Sequence, residues 1–144
     1  MPRLDSERID LWRNFCRSSA RLQRIIDQAL IDEHDMPLAW YDVLTAIRDA
    51  GGAIRVRDLA TALDEVPSSL SRRLDRMEDA DLIERRPAPT LIDRRVVEVV
   101  ATTEGRYSWR DATISYRRLV QQHFAGSLTE TDVAALQRLW PKFS

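Results

Sequence analysis

The spacing of apolar residues changes once along the chain, and this change restricts the possible folds more than any other feature. In residues 67–80, Leu70, Leu74 and Met77 recur every three or four positions, as they do on the buried face of an amphipathic helix. The next segments, LIERRP and RRVVEVVA, contain the short apolar runs that are typical of strands, and the loop APTLID joins them. The sequence therefore predicts a helix that leads directly into a β-hairpin.

Three further helices are predicted before this point. A long amphipathic pattern runs from Ser6 to about Glu33, and a second helix begins at Pro37 and ends at a pair of glycines. A short extended segment, AIR, is followed by VRDLATALD, which predicts a compact third helix. A tight turn separates this third helix from the helix at residues 67–80, so the pair is a candidate helix-turn-helix.

Two helices are predicted after the hairpin. Thr102 and Thr103 can cap a fifth helix that runs to about Ala125, and Thr129 and Asp132 form a capping box at the start of a sixth. The apolar faces of the first, fifth and sixth helices are larger than the small domain made of the helix-turn-helix and the hairpin can cover. We therefore expect these outer helices to associate as a dimer.

Composition excludes several classes of protein. The single cysteine, Cys16, cannot form an internal disulfide, and two histidines, His34 and His123, are too few to complete a structural zinc cluster with it. The chain contains no glycine-rich phosphate loop and no paired serine and histidine motif, so we expect neither an enzyme nor a bound cofactor or metal. No apolar run approaches the roughly 20 residues that cross a bilayer, and we expect a cytoplasmic protein without a membrane partner.

The helix at residues 67–80 has a polarity that suggests a nucleic-acid partner, although the formal net charge of the chain is only -1. Hydroxyls and arginines occupy its first half, and acids occupy its second half. Short hydroxyls fit close to a DNA backbone, and the planar guanidinium fork can bind phosphate or guanine. A solvated helix face would have a similar composition, so this feature alone leaves both readings open. The predicted DNA-contacting residues of this helix are Ser68, Ser69, Ser71, Arg72, Arg73 and Arg76.

The hairpin provides a second and independent indication of DNA binding. Asp93, Arg94 and Arg95 lie at the start of its second strand. A hairpin that acts as a wing beside the helix-turn-helix could place an arginine from this position in the minor groove of DNA. The helix and the hairpin therefore point to the same partner.

The region from Leu38 to Arg106 resembles the multiple antibiotic resistance regulator (MarR) family of bacterial transcription factors. The segments that carry the resemblance are IRVRDLATAL, PSSLSRRLDRMEDADLIERR and DRRVVEVVATTEGR, of which the last matches the family pattern of Asp-x-Arg, a strand and Thr-x-x-Gly. The resemblance implies a homodimer that binds double-stranded DNA at a pseudo-palindromic operator. It also implies a repressor that a small aromatic or phenolic effector releases. By the family pattern, Arg95 enters the minor groove and Asp93 orients it.

These inferences define the expected organisation of the chain. The predicted fold class is mainly α with a small β-hairpin, arranged as a winged helix-turn-helix flanked by N- and C-terminal dimerisation helices. We assign residues 1–36 to the N-terminal dimerisation helix, 37–101 to the DNA-binding domain and 102–144 to the C-terminal dimerisation helices.

Three positions depart from the family pattern. Asp81 stands where the family usually has glycine, although aspartate adopts a left-handed backbone only moderately well. Val66 replaces the usual polar cap before the recognition helix, and PAPTLID is about two residues longer than the commonest wing tip and lacks its first acid. The second and third departures bear on the operator sequence and on the reach of the wing.

Two alternative functions remain open. A redox-sensing regulator of the same fold would use Cys16, although its place beside Phe15 on an apolar stripe favours a buried and inert thiol. A protein-interaction module without DNA binding would have no use for the Ser/Arg face and the arginine-bearing hairpin. Aromatic residues of the first two helices are candidates to line an effector cleft, and the alternative role for them is plain core: Trp12, Phe15, Trp40 and Tyr41.

Overall fold

The computed structural model describes residues 3–89 and 96–144, and within them the predicted order of elements is confirmed. The chain is mainly helical, and the strands of a small antiparallel sheet lie before and after the helix-turn-helix in the sequence. The helices are α1 (Ser6–His34), α2 (Leu38–Asp49), α3 (Val56–Ala62), α4 (Pro67–Asp79), α5 (Thr103–His123) and α6 (Glu130–Leu139). The strands are β1 (Ala53–Arg55), β2 (Ile83–Pro87) and β3 (Val97–Ala101). Single turns of 3-10 helix, Ala125–Ser127 and Trp140–Lys142, follow α5 and α6.

The chain divides into two compact units. Met1–Ile26 and Ser115–Ser144 form unit 1, and Asp27–Ile114 forms unit 2. The helices α1 and α5 each contribute residues to both units. Unit 2 contains the complete helix-turn-helix and the sheet, and it is therefore the unit that holds the predicted recognition helix.

The sheet has three strands in the order β1-β3-β2, whereas the sequence predicted a two-stranded hairpin and a separate extended segment. The strand β1 pairs antiparallel with β3, with Ile54 opposite Val99. The hairpin pairs β2 with β3 from Ile83 opposite Ala101 to Pro87 opposite Val97. The short strand before α3 therefore pairs with one edge of the hairpin and links the hairpin to the helix-turn-helix.

The core of unit 2 lies under α4. Leu70, Leu74 and Met77 are completely buried, which confirms the stripe that the sequence predicted. Leu59 of α3 and Val99 of β3 are buried as well. Burial of each such side chain contributes roughly 1.5–3 kcal/mol, so this stripe determines which face of α4 is turned outwards.

The turn between α3 and α4 is tight, and no side-chain hydrogen bond caps the helix that follows it. Asp64 has a left-handed backbone with φ 52°, and the amide of Glu65 donates to the carbonyl oxygen of Ala60 at 2.9 Å. Val66 is the N-cap residue of α4 and makes no side-chain cap hydrogen bond, while Pro67 occupies the first turn. The departure at Val66 therefore leaves the start of α4 without the usual polar cap.

The sheet is joined to α5 by a compact set of contacts around Thr102. Its hydroxyl donates to the carbonyl oxygen of Asp81 at 2.5 Å and accepts from the amide of Gly105 at 2.9 Å. Its own amide donates to the carbonyl oxygen of Leu82 at 3.0 Å. Asp81 has φ 63°, so aspartate adopts here the left-handed conformation that glycine adopts more easily. The predicted cap is thus at Thr102, immediately before α5 begins.

Unit 1 contains a confirmed capping box and a group of exposed aromatic side chains. Thr129 and Asp132 cap α6 reciprocally, and the hydrogen bonds from the backbone and hydroxyl of Thr129 lower the pKa of Asp132. The ring of Phe15 lies 6.3 Å from that of Trp12 and 6.2 Å from that of Trp140. Large apolar side chains of this unit remain exposed in the single chain: Leu4, Leu11, Trp12, Phe15, Phe124, Trp140 and Phe143.

None of the helices in the described ranges is long and apolar enough to span a membrane.

Candidate nucleic-acid interface

The outer face of α4 carries most of the predicted DNA-contacting residues. Arg72 and Arg76 are four positions apart, so they lie on the same side of the helix, and both are exposed. Within residues 3–89 and 96–144, neither arginine forms an ion pair or a side-chain hydrogen bond. The hydroxyl residues that accompany them are also exposed: Ser68, Ser69 and Ser71.

Arg73 differs from the other arginines of α4. Its side chain is only 17% exposed, and its Nη2 atom lies 2.8 Å from Oε1 of Glu65. Glu65 precedes α4 by two residues, so the ion pair connects the turn to the second turn of the helix. The structure therefore does not bring Arg73 together with the exposed arginines that the sequence grouped with it.

A second set of ion pairs attaches α4 to the hairpin. The guanidinium of Arg85 on β2 reaches Asp75 at 2.5 Å and Glu78 at 3.2 Å, and its backbone amide also donates to Glu78 at 3.1 Å. The hydrogen bond that the guanidinium of Arg85 donates to Asp75, together with the hydrogen bond and the charge of Glu78, raises the pKa of Arg85. Two acids in the second half of α4 therefore hold the sheet and are not simply a solvated face.

The base of the wing contains a buried carboxylate. Glu98 on β3 stands opposite Arg86 on β2, and the two side chains form an ion pair of 2.7 Å. Pairing continues one step beyond the strands, because the amide of Ala88 donates to the carbonyl oxygen of Val96 at 2.9 Å. The predicted wing residues lie outside the described residues, and their roles stay predictions: Asp93, Arg94 and Arg95.

The four aromatic residues proposed for an effector cleft fall into the two units. Trp12 and Phe15 belong to unit 1 and are exposed. Trp40 and Tyr41 belong to unit 2, where Tyr41 is buried and its ring lies 6.3 Å from that of Trp109 in a stacked arrangement. The structure gives Tyr41 the surroundings of a core residue, and the assignment of these residues to an effector site stays a prediction.

A cleft of about 450 Å³ opens in unit 2 between the end of α2 and the start of α5. Its apolar side is formed by Leu44, Ile47 and Trp109. The indole nitrogen of Trp109 donates to Thr45 at 2.9 Å, and the guanidinium of Arg48 lies 4.9 Å from the ring centroid. Nothing in the sequence pattern indicated this cleft.

Cys16 is exposed in the structure, whereas the sequence favoured a buried thiol. The apolar stripe on which Cys16 was placed is itself exposed at Trp12 and Phe15. Periodicity identifies an apolar face, but it cannot determine whether the same chain or another molecule covers that face. The redox alternative is therefore left untested.

The comparisons with known proteins agree with this arrangement. The MarR family model matches residues 34–95. AbsC, a MarR family transcriptional regulator from Streptomyces coelicolor, is 26% identical, with 98% of this chain and 95% of that chain covered and a TM-score of 0.87. A mutant of MarR from Escherichia coli complexed with operator DNA is 29% identical, with 99% of each chain covered and a TM-score of 0.83.

BpsR from Bordetella bronchiseptica, described in terms of the regulation of its DNA binding by 6-hydroxynicotinic acid, is 25% identical. The alignment covers 93% of this chain and 98% of that chain, with a TM-score of 0.79. A search of the curated proteins gives no match. The family-model match over residues 34–95 and the structural likenesses, together with the exposed face of α4 and the hairpin that follows it, make the chain similar to the MarR family of winged helix-turn-helix transcriptional regulators.

Proposed function

We propose that the protein is a dimeric transcriptional regulator that places α4 in the major groove of an operator. The observation that carries this proposal is the division of α4 into two faces. Leu70, Leu74 and Met77 face the core, whereas the opposite face presents hydroxyls together with Arg72 and Arg76. Such a helix can enter a groove with its hydroxyls near the backbone and its guanidinium groups at phosphates or guanines.

The dimer partner in this proposal is a second copy of the chain. Leu11 and Trp12 on α1 are 63% and 66% exposed, which is unusual for large apolar side chains that are neighbours on one helix. A symmetric dimer that covers them would present two copies of α4. Two recognition helices explain why the expected operator is pseudo-palindromic.

The wing supplies the second set of proposed DNA contacts. In the proposed complex, Arg94 meets phosphate and Arg95 enters the minor groove, with Asp93 orienting Arg95 through a charge-assisted hydrogen bond. The ion pair of Arg86 and Glu98 supports this proposal, because it reinforces the base of the hairpin that leads to these residues.

The regulator is proposed to act as a repressor that a small aromatic or phenolic effector releases from DNA. The likeness to BpsR supports this part of the proposal, because 6-hydroxynicotinic acid regulates the DNA binding of that protein. The cleft beside Trp109 combines an apolar wall with the guanidinium of Arg48, which suits a ring that bears an acidic group.

Replacement of Arg72 by alanine tests the proposed function. The operator is first obtained by sequencing the genomic fragments that the purified protein retains. On that operator, Arg72→Ala is expected to weaken binding by about 1 to 3 kcal/mol if Arg72 contacts a base edge, with a smaller loss on random DNA. Titration of both DNAs with each variant measures the difference.

The matched control is Arg110→Ala, which removes an exposed arginine of α5 instead of α4 and is expected to bind as the wild type does. An equal loss on both DNAs for Arg72→Ala would limit this residue to phosphate contact. If the wild-type chain retains no specific fragments, the regulator proposal is wrong and a protein-interaction module takes its place.

A further inference from the structure

The start of α4 lacks the device that normally fixes the first turn of a helix. Val66 makes no side-chain cap hydrogen bond, so the free amides of the first turn receive no acceptor from the N-cap residue. The first backbone hydrogen bond of α4, from the amide of Leu70 to the carbonyl oxygen of Val66, is 3.3 Å long. Another contact must therefore fix the direction in which α4 leaves the turn.

The ion pair of Glu65 and Arg73 is in the right place to do this. Oε1 of Glu65 accepts from Nη2 of Arg73 at 2.8 Å, and the two side chains are 30% and 17% exposed. The other carboxylate oxygen of Glu65 is buried and has no hydrogen-bond partner in the part of the chain that the structure describes. Arg73 therefore neutralises a partly buried carboxylate that would otherwise have no partner. Removal of Arg73 would leave this charge unpaired, which is expected to destabilise the fold around the turn.

The helix α2 contributes a third charged group to the same place. Burial raises the pKa of the Asp42 carboxyl above its ordinary value, while nearby Arg73 lowers it and nearby Glu65 raises it. Arg73 thus lies close to acids from two elements, the turn before α4 and α2. Its ion pair is with Glu65, and its charge also acts on Asp42 of α2.

We propose that Arg73 is a positioning residue, which sets the angle of α4 in the groove through Glu65 and does not itself contact DNA. This inference rests on the proposed function, because it assumes that α4 enters the groove. It assigns Arg73 a role different from those of Arg72 and Arg76, which are exposed on the same helix.

A change in the angle of α4 affects recognition of bases more than binding to phosphates. Hydrogen bonds to base edges weaken steeply when their distances and angles change. Phosphate contacts made by long arginine side chains tolerate such a change, because the side chains can adjust. Loss of the ion pair should therefore reduce the preference for the operator and leave the number of phosphate contacts unchanged.

The test compares wild type, Glu65→Ala, Arg73→Ala and the double variant on operator and random DNA over a salt series. Each single variant is expected to lower the ratio of the two affinities by about tenfold, which is within the range of coupling between contacting residues. The double variant is expected to lose no more than either single variant. The slope of log affinity against log salt is expected to stay that of the wild type.

A direct phosphate contact by Arg73 predicts the opposite pattern. Arg73→Ala would then lower the salt slope by about 1.8 per dimer, which is 0.9 for each subunit. Glu65→Ala would free the guanidinium and strengthen binding to both DNAs. Either result, or an unchanged affinity ratio in the single variants, would overturn the proposal.

Two controls separate positioning from a general loss of stability. Arg73→Lys keeps a positive charge and a donor, but it lacks the planar guanidinium, and it is expected to restore only part of the affinity ratio. If the loss of positive charge were the whole cause of the effect, Arg73→Lys would restore the affinity ratio fully. Arg8→Ala removes a surface ion pair, with Asp5, in which the two side chains are 55% and 45% exposed. This exposed pair contributes little, so the affinity ratio is expected to stay unchanged.

Hydrogen exchange provides a readout that does not depend on DNA. The amide of Leu70 makes the first backbone hydrogen bond of α4, and its exchange is expected to accelerate in Glu65→Ala and Arg73→Ala. The exchange of Leu119 in α5 serves as the reference and is expected to stay constant. If Leu70 exchanges as in the wild type, Arg73 does not position the helix, whether or not the protein binds an operator.

Discussion

Replacement of Gly105 by alanine is expected to destabilise unit 2 by at least about 3 kcal/mol, the upper end of what overpacking usually costs. A Cβ atom at this position would lie 2.0 Å from the carbonyl oxygen of Leu82 and 2.9 Å from its carbonyl carbon. These atoms are backbone, so no flexible side chain can move aside. The clash would separate α5 from the end of the helix-turn-helix.

The expected destabilisation is opposite in sign to the usual effect of replacing glycine by alanine in a helix. Gly105 lies in the first turn of α5, and an alanine in a helix normally stabilises it by about 1 kcal/mol relative to glycine. Thermal unfolding of Gly105→Ala is expected to shift down by roughly 10 °C or more. Glu104→Ala, at the exposed neighbouring position, is the control and is expected to unfold near the wild-type temperature. A rise in the unfolding temperature of Gly105→Ala would show that α5 does not approach Leu82 so closely.

The double variant Leu11→Asp/Phe15→Asp is expected to convert the proposed dimer to a monomer and to abolish specific DNA binding. The two residues are four positions apart on α1, so they share a face, and they are 63% and 52% exposed in the single chain. Two carboxylates buried without partners would cost several kcal/mol in each subunit. A monomer would present one recognition helix to a site built for two, which should reduce affinity by orders of magnitude.

Sedimentation and DNA titration measure the two effects. The matched control is Arg13→Asp, which introduces the same charge between these two residues on the opposite side of α1. This control is expected to sediment as the wild type does. If the wild-type chain sediments as a stable monomer, or if the double variant remains a dimer, the exposed face of α1 is not the dimer interface.

The helices and their buried faces could be predicted from the sequence because helical periodicity is local. Leu70, Leu74 and Met77 repeat with the period of a helix, and this alone indicates the face on which Arg72 and Arg76 must lie. The same reasoning explains why the capping box of α6 was found. Both patterns need only neighbouring residues.

Contacts between elements could not be predicted in the same way. Arg73 lies beside the apolar stripe of α4, and only the path of the preceding turn brings Glu65 to it. The three residues of β1 are too few to show an alternating pattern, so its pairing with β3 was missed. The boundary between the two units also leaves no mark in the sequence, because the continuous helices α1 and α5 run through it.

The junction around Thr102 has a consequence for how such chains can change during evolution. The hydroxyl of Thr102 binds Asp81 on one side and the amide of Gly105 on the other, so the number of residues from the end of β3 to the first turn of α5 is fixed. One inserted residue would rotate α5 by about 100° relative to the sheet, because a helix has 3.6 residues per turn. A change of length in the segment PAPTLID would leave this spacing intact, because that segment precedes β3. The hairpin could therefore gain or lose residues without disturbing the junction that holds the sheet to α5.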